Sequence, residues 1–454
     1  MNPMEWEAIK SRLDTLLASG KHSEIRGAMM MLNVVDIAQY METLEKDKLL
    51  HVFRILPKDI SSDVFSYMEP EQKQLLIESI GDQEICALID DMFLDDAVDF
   101  LEELPASVVK RVLQSAPVEK RNLINQFLRY PEYSAGSIMT IEYLEFREGD
   151  TVRDAMNIIK KVGLDKETIY TLYIIDKERH LLGTLALRRM ILADEEAVLS
   201  DMMNRNPISV YTTDDQEKVA DTVRRYDVMA LPVVDKENRL VGIITADDVM
   251  DVIEEENTED FEKMAGLMPS EDEYLKTSPF RLALNRIPWL LIMAAVALFT
   301  GMIIKSFEDV LATSIVLTSC IPMLMNTGGN CGSQASTLII RGIALGEIEF
   351  RDLFRALWKE FRVGAMVGAV LSVFTFLLVT FIYGASPAEA FVVALALYAT
   401  VLIAKGLGCT LPLLARKVGF DPALMASPLI TTLVDATSLT IYFIIATAIL
   451  KIAL

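Results

Sequence analysis

The stretch TLYIIDKERHLLGTLALRRM at residues 171–190 recurs in altered form as MALPVVDKENRLVGIITADDV at residues 229–249. Asp176 in the first copy corresponds to Asp235 in the second, 59 residues later. In both copies an apolar run is followed by the charged turn Asp-Lys-Glu, a second apolar run and a helix-like segment. This order predicts two strands joined by a tight turn and followed by a helix.

The duplicated pattern resembles a pair of CBS domains, which are regulatory modules of α+β fold without catalytic chemistry. The pattern covers about 120 residues. The resemblance places CBS repeat 1 at residues 137–200 and CBS repeat 2 at residues 201–257.

Charge separates the chain into two parts of opposite character. Residues 1–275 hold 56 acidic and 30 basic residues, whereas residues 276–454 hold 9 acidic and 13 basic residues. The first part is therefore net −26 and the second net +4, although 52% of all residues are hydrophobic. An acidic water-soluble part followed by a membrane domain excludes a single soluble globule, and it excludes nucleic-acid binding through a basic face.

Residues 1–132 are expected to form an all-α, superhelical N-terminal domain. Apolar residues recur there at spacings of three and four, which is the pattern of helices with one buried face. Leu-Pro at 56–57 and again at 104–105, 48 residues later, marks the start of a helix, because Pro is favoured in the first turn. Helix pairs that repeat with this period are typical of a small α-solenoid of either hand.

The segment 246–275 is expected to contain an acidic amphipathic helix that links the soluble and membrane parts. Many of its carboxylates lie three or four residues apart, so like charges fall on neighbouring turns and repel one another unless cations screen them. Its acidic residues include Asp247, Asp248, Asp251, Glu254, Glu255, Glu256, Glu259, Asp260 and Glu262.

Residues 280–454 are expected to form a transmembrane domain of five helices. Five apolar stretches there reach the roughly 20 residues that cross a bilayer core, and Gly, Asn or Pro interrupts the second and the fourth. Basic residues concentrate in the loops 341–362 and 415–421, so the positive-inside rule predicts that both loops and the N-terminus are cytoplasmic. The five stretches are 286–304, 310–340, 363–384, 390–414 and 424–450.

Asp435, in PLITTLVDATSL (428–439), is the only acidic residue expected well inside a membrane stretch. It lies about eleven residues into the fifth stretch, roughly 16 Å deep and therefore near the midplane of a core of about 30 Å. Polar groups at that depth are costly and tend to be functional, which favours a cation site; protonation or pairing with a polar neighbour is the alternative. One carboxylate is few for a divalent ion, and a two-fold dimer with the pore on its axis would supply two.

The polar run MNTGGNCGSQAST (325–337) interrupts the second membrane stretch. Gly328 and Gly329 are expected to free backbone groups, which is tolerated at membrane depth where the backbone lines a cavity or is buried in protein. Close helix packing through small residues is the alternative. An uncharged polar lining suits Mg²⁺, which binds oxygen, retains most of its water and needs few direct carboxylates.

Sequence patterns that would indicate an enzyme are missing, since no Ser-His-Asp set, Walker loop or GxGxxG pattern occurs. The three histidines, His22, His51 and His180, all lie in the acidic part, which disfavours a His-based zinc or transition-metal site. The four cysteines are widely spaced, as is typical of a reducing cytosol. Because no signal peptide is present, the acidic part is expected to remain in the cytoplasm.

The whole order resembles the MgtE family of bacterial magnesium channels or transporters: an acidic helical domain, a CBS pair, an acidic linker, and five membrane stretches with TGGNCGSQ and PLITTLVDATSL. The resemblance implies a homodimer in the lipid of the cell membrane, with a pore between the two membrane domains and hydrated Mg²⁺ bound at Asp435. It further implies that cytosolic Mg²⁺ binds the soluble domains and that the linker helix, called the plug, then closes the pore.

The resemblance also assigns site residues by position. Gly328, Gly329, Asn330 and Thr431 are expected to line the pore beside Asp435. The alternative for each regulatory carboxylate is a solvated helix face. The regulatory Mg²⁺ ligands are expected among carboxylates of the helical domain, the second CBS repeat and the plug, namely Asp95, Asp99, Asp227, Asp248, Asp251, Glu256, Glu259 and Asp260.

Binding of ATP is a further implied property, and the sequence weakens it. CBS nucleotide sites commonly carry G-h-x-[ST]-x-x-D, which the second repeat retains with Thr245 and Asp248. The first repeat, where some family members are modulated by ATP, has Ala186 and Arg189 at these places. Tyr170 is left as the candidate for stacking on adenine.

Four further positions depart from the family pattern. Cys331 and Ser333 stand where Thr and Asn are usual, and Ser427 stands where Asn is usual, which would alter ion preference. Lys405 lies near the middle of the fourth stretch. Its ammonium is expected either to pair with a carbonyl or reach a polar cavity, or to lie near Asp435 and weaken cation binding by Coulomb repulsion.

Together these observations predict a Mg²⁺ channel or transporter that mediates Mg²⁺ uptake and is closed by cytosolic Mg²⁺. A coupled transporter of another divalent cation, Co²⁺ or Mn²⁺, is one alternative, and a membrane-anchored CBS sensor without transport is another. Neither an enzymatic activity nor a nucleic-acid partner is expected.

Overall fold

The computed structural model describes two compact units, Met1–Ile253 and Glu254–Leu454. The end of the predicted linker at 271–273 and the start of the second predicted membrane stretch at 310–313 lie outside the described residues. The described residues are 3–102, 104–270, 274–275, 277–308, 314–425 and 427–450.

The first unit begins with short helices that follow one another directly. They start where the proline pattern predicts, since Pro57, Pro105 and Pro117 each precede the first residue of a helix and Pro70 is itself a first residue. The bounds are α1 (Pro3–Ala18), α2 (His22–Met29), α3 (Val34–Glu42), α4 (Lys46–Ile55), α5 (Lys58–Ser66), α6 (Pro70–Ser79), α7 (Asp82–Asp91), α8 (Leu94–Glu102), α9 (Ala106–Ser115) and α10 (Val118–Phe127).

These helices stack as repeated pairs. α3 packs on α5, α5 on α7 and α7 on α9, while α4 packs on α6 and α8 on α10. Contacts between every second helix are what a solenoid of helix pairs requires. The apolar faces share one core in which Tyr40, Phe65 and Phe100 are fully buried. The prediction of an all-α, superhelical N-terminal domain is confirmed.

Two three-stranded sheets follow, and the predicted order of strand, turn, strand and helix is confirmed in both. In each sheet the first strand runs parallel to the second, and the second pairs antiparallel with the third. The elements are β1 (Glu145–Arg147), α11 (Val152–Val162), β2 (Thr171–Ile175), β3 (Leu181–Ala186), α12 (Leu187–Ile191), α13 (Leu199–Met202), β4 (Val210–Tyr211), α14 (Gln216–Tyr226), β5 (Ala230–Val234) and β6 (Leu240–Thr245).

The Asp-Lys-Glu turns of the two sheets fold alike. The carboxylate of Asp176 accepts hydrogen bonds from the backbone N–H groups two and four residues later, and Asp235 does the same. Arg179 and Asn238 both adopt a left-handed backbone conformation, with φ of 71° and 63°. The backbone N–H of Leu240 donates to the carbonyl oxygen of Arg179, so the turns also bind each other.

The acidic linker is helical, as the sequence predicts. α15 (Ala246–Ala265) follows β6 without a gap and is 20 residues long. Val249 and Val252 near its start are buried, whereas Met250 is exposed. The helix therefore has one apolar face in its first turns.

The second unit consists of long helices. Among the described residues, α16, α18, α19 and α20 are long and apolar enough to cross a membrane, and α17 matches them in length with 30 residues. The polar run of α17 makes it less apolar than the other four. The bounds are α16 (Pro279–Ser306), α17 (Ile315–Ala344), α18 (Leu353–Ile382), α19 (Pro387–Val418) and α20 (Ser427–Leu450).

The predicted interruptions of the second and fourth membrane stretches are wrong. α17 runs without a break through Gly328 and Gly329, and α19 runs through Pro412. A continuous helix satisfies its own backbone hydrogen bonds, which is the least costly state inside a bilayer. The glycines contribute close packing instead of an opening in the helix.

Candidate functional site

Asp435 lies on α20, eight residues after its first residue Ser427. Its side chain is half-buried, and no hydrogen bond or ion pair reaches its carboxylate from the described residues. An unpartnered carboxylate in an apolar helix is costly unless a cation or a proton neutralises it. The predicted helix around Asp435 is present, and both the depth of Asp435 in a membrane and its binding of an ion stay predictions.

Glycines of α17 let that helix approach the segment of α20 that carries Asp435. A Cβ atom at Gly329 would lie 2.9 Å from Thr431 Cγ2, and one at Gly328 would lie 2.9 Å from Val434 Cγ1 and 3.1 Å from Ser438 Oγ. Both glycines are buried. The two glycines therefore provide close helix packing through small residues, which is the alternative given for them in the sequence analysis.

Two further residues predicted to line a pore hydrogen-bond within their own helices. The Asn330 side-chain amide donates to Asn326 Oδ1 at 3.1 Å, and Asn330 is exposed on α17. The Thr431 hydroxyl donates to the carbonyl oxygen of Pro428 at 2.9 Å on α20. Asn330 therefore presents an amide on the surface of this chain, whereas Thr431 packs against Gly329.

In the first unit the fold brings together carboxylates from three separate segments. Asp95 of α8 is only 8% exposed, and burial, followed by the charge of Asp248, raises its pKa well above the usual range. Burial and then the charges of Asp248 and Asp96 raise the pKa of Glu167 to about 7. Burial raises the pKa of Asp248 to about 6. We call Asp95, Asp96, Glu167 and Asp248 the carboxylate cluster.

Sequence reasoning missed Glu167 as a member of the carboxylate cluster. The residue follows a single 3-10 turn at Gly163–Asp165 and lies in an irregular segment before β2. No helical or strand periodicity applies to such a segment, so no sequence pattern could show that it faces Asp95. Only its place inside a duplicated module could have drawn attention to it.

Three of the predicted regulatory carboxylates are exposed. Asp99, one turn after Asp95 on α8, and Asp251 on α15 point to solvent, as does Asp227. Asp227 ends α14 in a left-handed conformation with φ of 50°. Asp and Asn are the non-glycine residues that tolerate this conformation best, so the position also has a local structural reason.

Asp248 serves as a helix cap. Its carboxylate accepts hydrogen bonds from the hydroxyl and the backbone N–H of Thr245, which precedes the first residue of α15. The bond from the Thr245 N–H is one of the two bonds of a capping box, and it is the local structural use of the pattern T-x-x-D. In the first repeat Ala186 provides no side-chain cap, and the following helix α12 has only five residues. Tyr170 of the same repeat is 67% exposed.

The second half of α15 contacts the loop between α19 and α20. Lys263 Nζ lies 2.8 Å from Asp421 Oδ2 and 2.7 Å from Glu259 Oε1. Burial and then the charge of Asp421 raise the pKa of Asp260 to about 6. Two of the three predicted plug carboxylates, Glu259 and Asp260, thus lie in one charged group around Lys263. The negative charge of the third, Glu256, also raises the pKa of Asp260.

The partner of the Lys405 ammonium is the carboxylate of Glu360 and not a carbonyl group, whereas an effect of Lys405 on Asp435 stays a prediction. Lys405 Nζ lies 3.6 Å from Glu360 Oε2, and the exposed fractions of the two residues are 4% and 8%. Glu360 is the eighth residue of α18, which begins before the membrane stretch predicted for that region. Asp435 is therefore not the only acidic side chain buried among these helices. The side chain of Ser427 lies outside the described part of the structure.

The carboxylates that the first unit brings together are not arranged as direct ligands of one metal ion in the described residues. Within the described ranges, no group of three or more His, Cys, Asp or Glu is placed to hold a metal ion. His22 and His51 bind each other instead, with Nδ1 and Nε2 2.9 Å apart.

Comparison with known proteins adds the family. A profile of the MgtE family described as a divalent cation transporter matches residues 321–445. A profile described as the MgtE intracellular N domain matches residues 32–133, and a CBS domain profile matches residues 199–255.

Two curated relatives extend over nearly the whole chain. The magnesium transporter MgtE of Thermus thermophilus is 35% identical over 450 residues, which cover 98% of this chain and 99% of the relative. The magnesium transporter MgtE of Bacillus subtilis is 33% identical over 98% of both chains.

Solved structures agree for the first part of the chain. The soluble part of a magnesium transporter is 32% identical with a TM-score of 0.53, covering 55% of this chain and 99% of that one. The cytosolic domain of the Mg²⁺ channel MgtE in complex with ATP is 32% identical with a TM-score of 0.51, covering 54% and 99%. The chain belongs to the MgtE family.

Proposed function

We propose that the chain is a Mg²⁺ channel and that Asp435 binds the passing hydrated ion. The observation that carries this proposal is a half-buried carboxylate on α20 without a partner among the described residues. A negative charge in that place is stabilised by a cation, and Mg²⁺ binds through one or two carboxylates while it retains its water. Two curated relatives named magnesium transporters support the choice of ion.

The pore is formed by a homodimer in this proposal. One chain supplies one Asp435, and a two-fold axis beside α20 would bring two carboxylates to the same ion. With the N-terminus in the cytoplasm, an inward-negative membrane potential drives uptake by about 4.6 kcal/mol per 100 mV for a charge of two. No further energy source and no enzymatic step is needed.

The decisive experiment measures Mg²⁺ current through purified protein in a lipid bilayer. We expect Asp435→Ala to abolish the current and Thr437→Val, a change two residues away on the same helix, to leave it intact. Normal current in the Asp435→Ala variant would remove Asp435 from the pathway. Flux without single-channel current would favour a coupled transporter of Co²⁺ or Mn²⁺, and no transport of any divalent cation would favour a CBS sensor.

Regulation by cytosolic Mg²⁺ is the second part of the proposal. The carboxylate cluster offers oxygen ligands whose mutual repulsion a divalent cation relieves, and hard oxygen ligands are what Mg²⁺ prefers. We propose that Mg²⁺ binds there and at the exposed carboxylates Asp99, Asp227 and Asp251. We further propose that Glu256, Glu259 and Asp260 on α15 respond to the ion, so that α15 closes the pore.

Limited proteolysis tests the regulation. Cleavage within residues 255–275 of the full-length protein should slow when millimolar Mg²⁺ is added, because the bound ion fixes α15. The Asp95→Asn variant should show a smaller Mg²⁺-dependent change in cleavage, because one of the repelling charges is already absent. Cleavage rates that do not depend on Mg²⁺ would contradict a sensor in the first unit.

ATP binding at the first repeat is a subordinate proposal. The exposed ring of Tyr170 is available for stacking, and a relative's cytosolic domain has been solved in complex with ATP. Ala186 and Arg189 replace the hydroxyl and the acid of the nucleotide pattern, so we expect weak binding. Calorimetry with ATP should show binding that Tyr170→Ala removes, and an absence of heat from the unmodified protein would contradict it.

A further inference from the structure

Lys405 and Glu360 are buried beside each other in the second unit. Lys405 lies on α19 and Glu360 on α18, two helices that are long and apolar enough to cross a membrane. Charged side chains inside such helices are costly and are retained where they serve a purpose. Because Lys405 has an acidic partner, the charge of its ammonium is neutralised locally.

Coulomb attraction, and not a hydrogen bond, holds the pair. The Nζ–Oε2 distance is 3.6 Å, and Glu360 Oε2 accepts no hydrogen bond from the described residues. Glu360 therefore depends on Lys405 for the neutralisation of its charge. Removal of either partner leaves the other as an uncompensated charge in an apolar surrounding.

The surroundings of Lys405 leave little freedom to move. Gly364 on α18 lies one turn after Glu360, and a Cβ atom there would lie 3.4 Å from Lys405 Cγ. The absence of a side chain at Gly364 gives the aliphatic part of Lys405 room to lie along α18. The ion pair thus joins α18 and α19 at a defined position along both helices.

Residues close to Lys405 on α19 pack against α17. A Cβ atom at Gly408 would overlap the carbonyl oxygen of Gly332. A Cβ atom at Gly332 would lie 3.4 Å from the carbonyl oxygen of Ala404 and 3.2 Å from Val434 Cγ2. Val434 directly precedes Asp435. Packed contacts therefore lead from the ion pair through α19 and α17 to the segment of α20 that carries Asp435.

We propose that Lys405 and Glu360 form a positioning pair that sets the rate of ion passage without contacting the ion. Their attraction holds α19 between α18 and α17, and the contacts at Gly332 then fix the place of Val434 and Asp435. This inference rests on the proposed Mg²⁺ transport. In this inference Lys405 and Glu360 affect the rate of Mg²⁺ conduction, whereas Asp435 determines the affinity for Mg²⁺.

The test compares charge removal with charge exchange in full-length protein in liposomes. Mg²⁺ flux is measured over a range of Mg²⁺ concentrations, which separates the maximal flux from the half-saturating concentration. We expect Lys405→Gln and Glu360→Gln each to lower the maximal flux about tenfold and to leave the half-saturating concentration within about twofold, since each variant keeps Asp435. The exchanged pair K405E/E360K should recover most of the flux.

A matched apolar control separates positioning from general packing. K405M/E360M removes both charges and fills similar volume, so it should fold as stably as the unmodified protein but conduct at the reduced rate. Wild-type flux from K405M/E360M would reduce the pair to packing and overturn the proposal. A lower half-saturating concentration in K405Q would also overturn it, because that result requires repulsion at the ion site.

Two further outcomes are decisive. If a neutral single variant does not fold, Glu360→Asp replaces it, since this change keeps the charge and withdraws the carboxylate by one methylene. Reduced maximal flux from Glu360→Asp supports the proposal, and unchanged flux contradicts it. A wild-type flux that Asp435→Ala abolishes establishes transport independently, so unaffected Lys405 and Glu360 variants would overturn the positioning role alone.

Discussion

The two units of this protein bury carboxylates in opposite ways. In the first unit Asp95 and Glu167 face other carboxylates, and the mutual repulsion adds to the cost of burial. In the second unit Glu360 is neutralised by Lys405 at 3.6 Å. In the second unit the Lys405 ammonium therefore neutralises the buried carboxylate. The carboxylate cluster of the first unit instead needs protons or metal ions from solution to reduce its negative charge.

The contrast shows where sensitivity to the environment is located. Like charges held together in a fold respond to any ion that reduces their repulsion, so the carboxylate cluster is suited to a sensor. A matched pair gives no such response and fixes geometry.

Neutralising the carboxylate cluster should imitate Mg²⁺. In wild-type protein without divalent cations, millimolar Mg²⁺ should slow amide hydrogen exchange in α8 about tenfold or more, which corresponds to about 1.4 kcal/mol. In the D95N/E167Q variant exchange should already be slow, and Mg²⁺ should add little. The control Asp91→Asn changes an exposed carboxylate of α7 and should behave as wild type. Equal Mg²⁺ responses in all three proteins would break the contrast.

The stability of the first unit should fall as pH rises. Glu167 has its pKa raised from 4.5 to about 7 and Asp248 from 3.8 to about 6, so the folded state binds more protons than the unfolded state between these values. The contribution of these two groups to stability is then complete below about pH 3.8 and declines through pH 7, by at most about 1.4 kcal/mol per pH unit and group. Amide hydrogen exchange of α8 between pH 5 and 8, corrected for the pH dependence of the intrinsic exchange rates, measures this decline in stability.

Mg²⁺ supplies the control for the pH experiment. A bound divalent cation replaces the protons, so the decline should flatten in millimolar Mg²⁺. A stability that instead rises between pH 5 and 7 would show that these carboxylates are paired with cations and not with one another.

Removing the cap of α15 should have a smaller effect. Thr245→Ala removes the hydroxyl that donates to the Asp248 carboxylate at the start of α15, and loss of a helix cap costs about 1 kcal/mol. Faster hydrogen exchange in the first turn of α15 is the measurement. The matched control is Ala186→Thr in the first repeat, which should change little because Arg189 stands where the second repeat has Asp248. Comparable effects at both positions would contradict the capping argument.

The weakest effect is expected at the contact of α15 with the loop before α20. Lys263→Gln removes ion pairs with Asp421 and Glu259 that are partly exposed, and such pairs contribute about 0.2–1 kcal/mol. Cleavage within residues 255–275 should increase slightly at low salt and not at high salt, where the pairs are screened. The exposed Lys359→Gln is the control. A large, salt-independent effect would show that Lys263 has another role.

Local sequence pattern accounts for most of the elements. Pro57, Pro105 and Pro117 mark helix starts correctly, and the repeat that contains Asp176 and Asp235 predicts both hairpins. These features depend on residues near one another in the chain, and local backbone preferences decide them. For the polar run of α17 the local pattern gave a wrong prediction. Glycines that interrupt an apolar sequence can still pack inside a continuous helix.

The sequence by itself determined the acidic and apolar parts, the order of the elements and the position of Asp435 within a membrane helix. Only the tertiary structure decided that Glu167 joins Asp95 and Asp248 and that Glu360 is the partner of Lys405. It also decided that the glycines of α17 pack against Thr431 and Val434 of α20. Composition and periodicity describe one segment at a time. The partners of a buried charge come from distant segments, and the packing of helices and sheets brings them together.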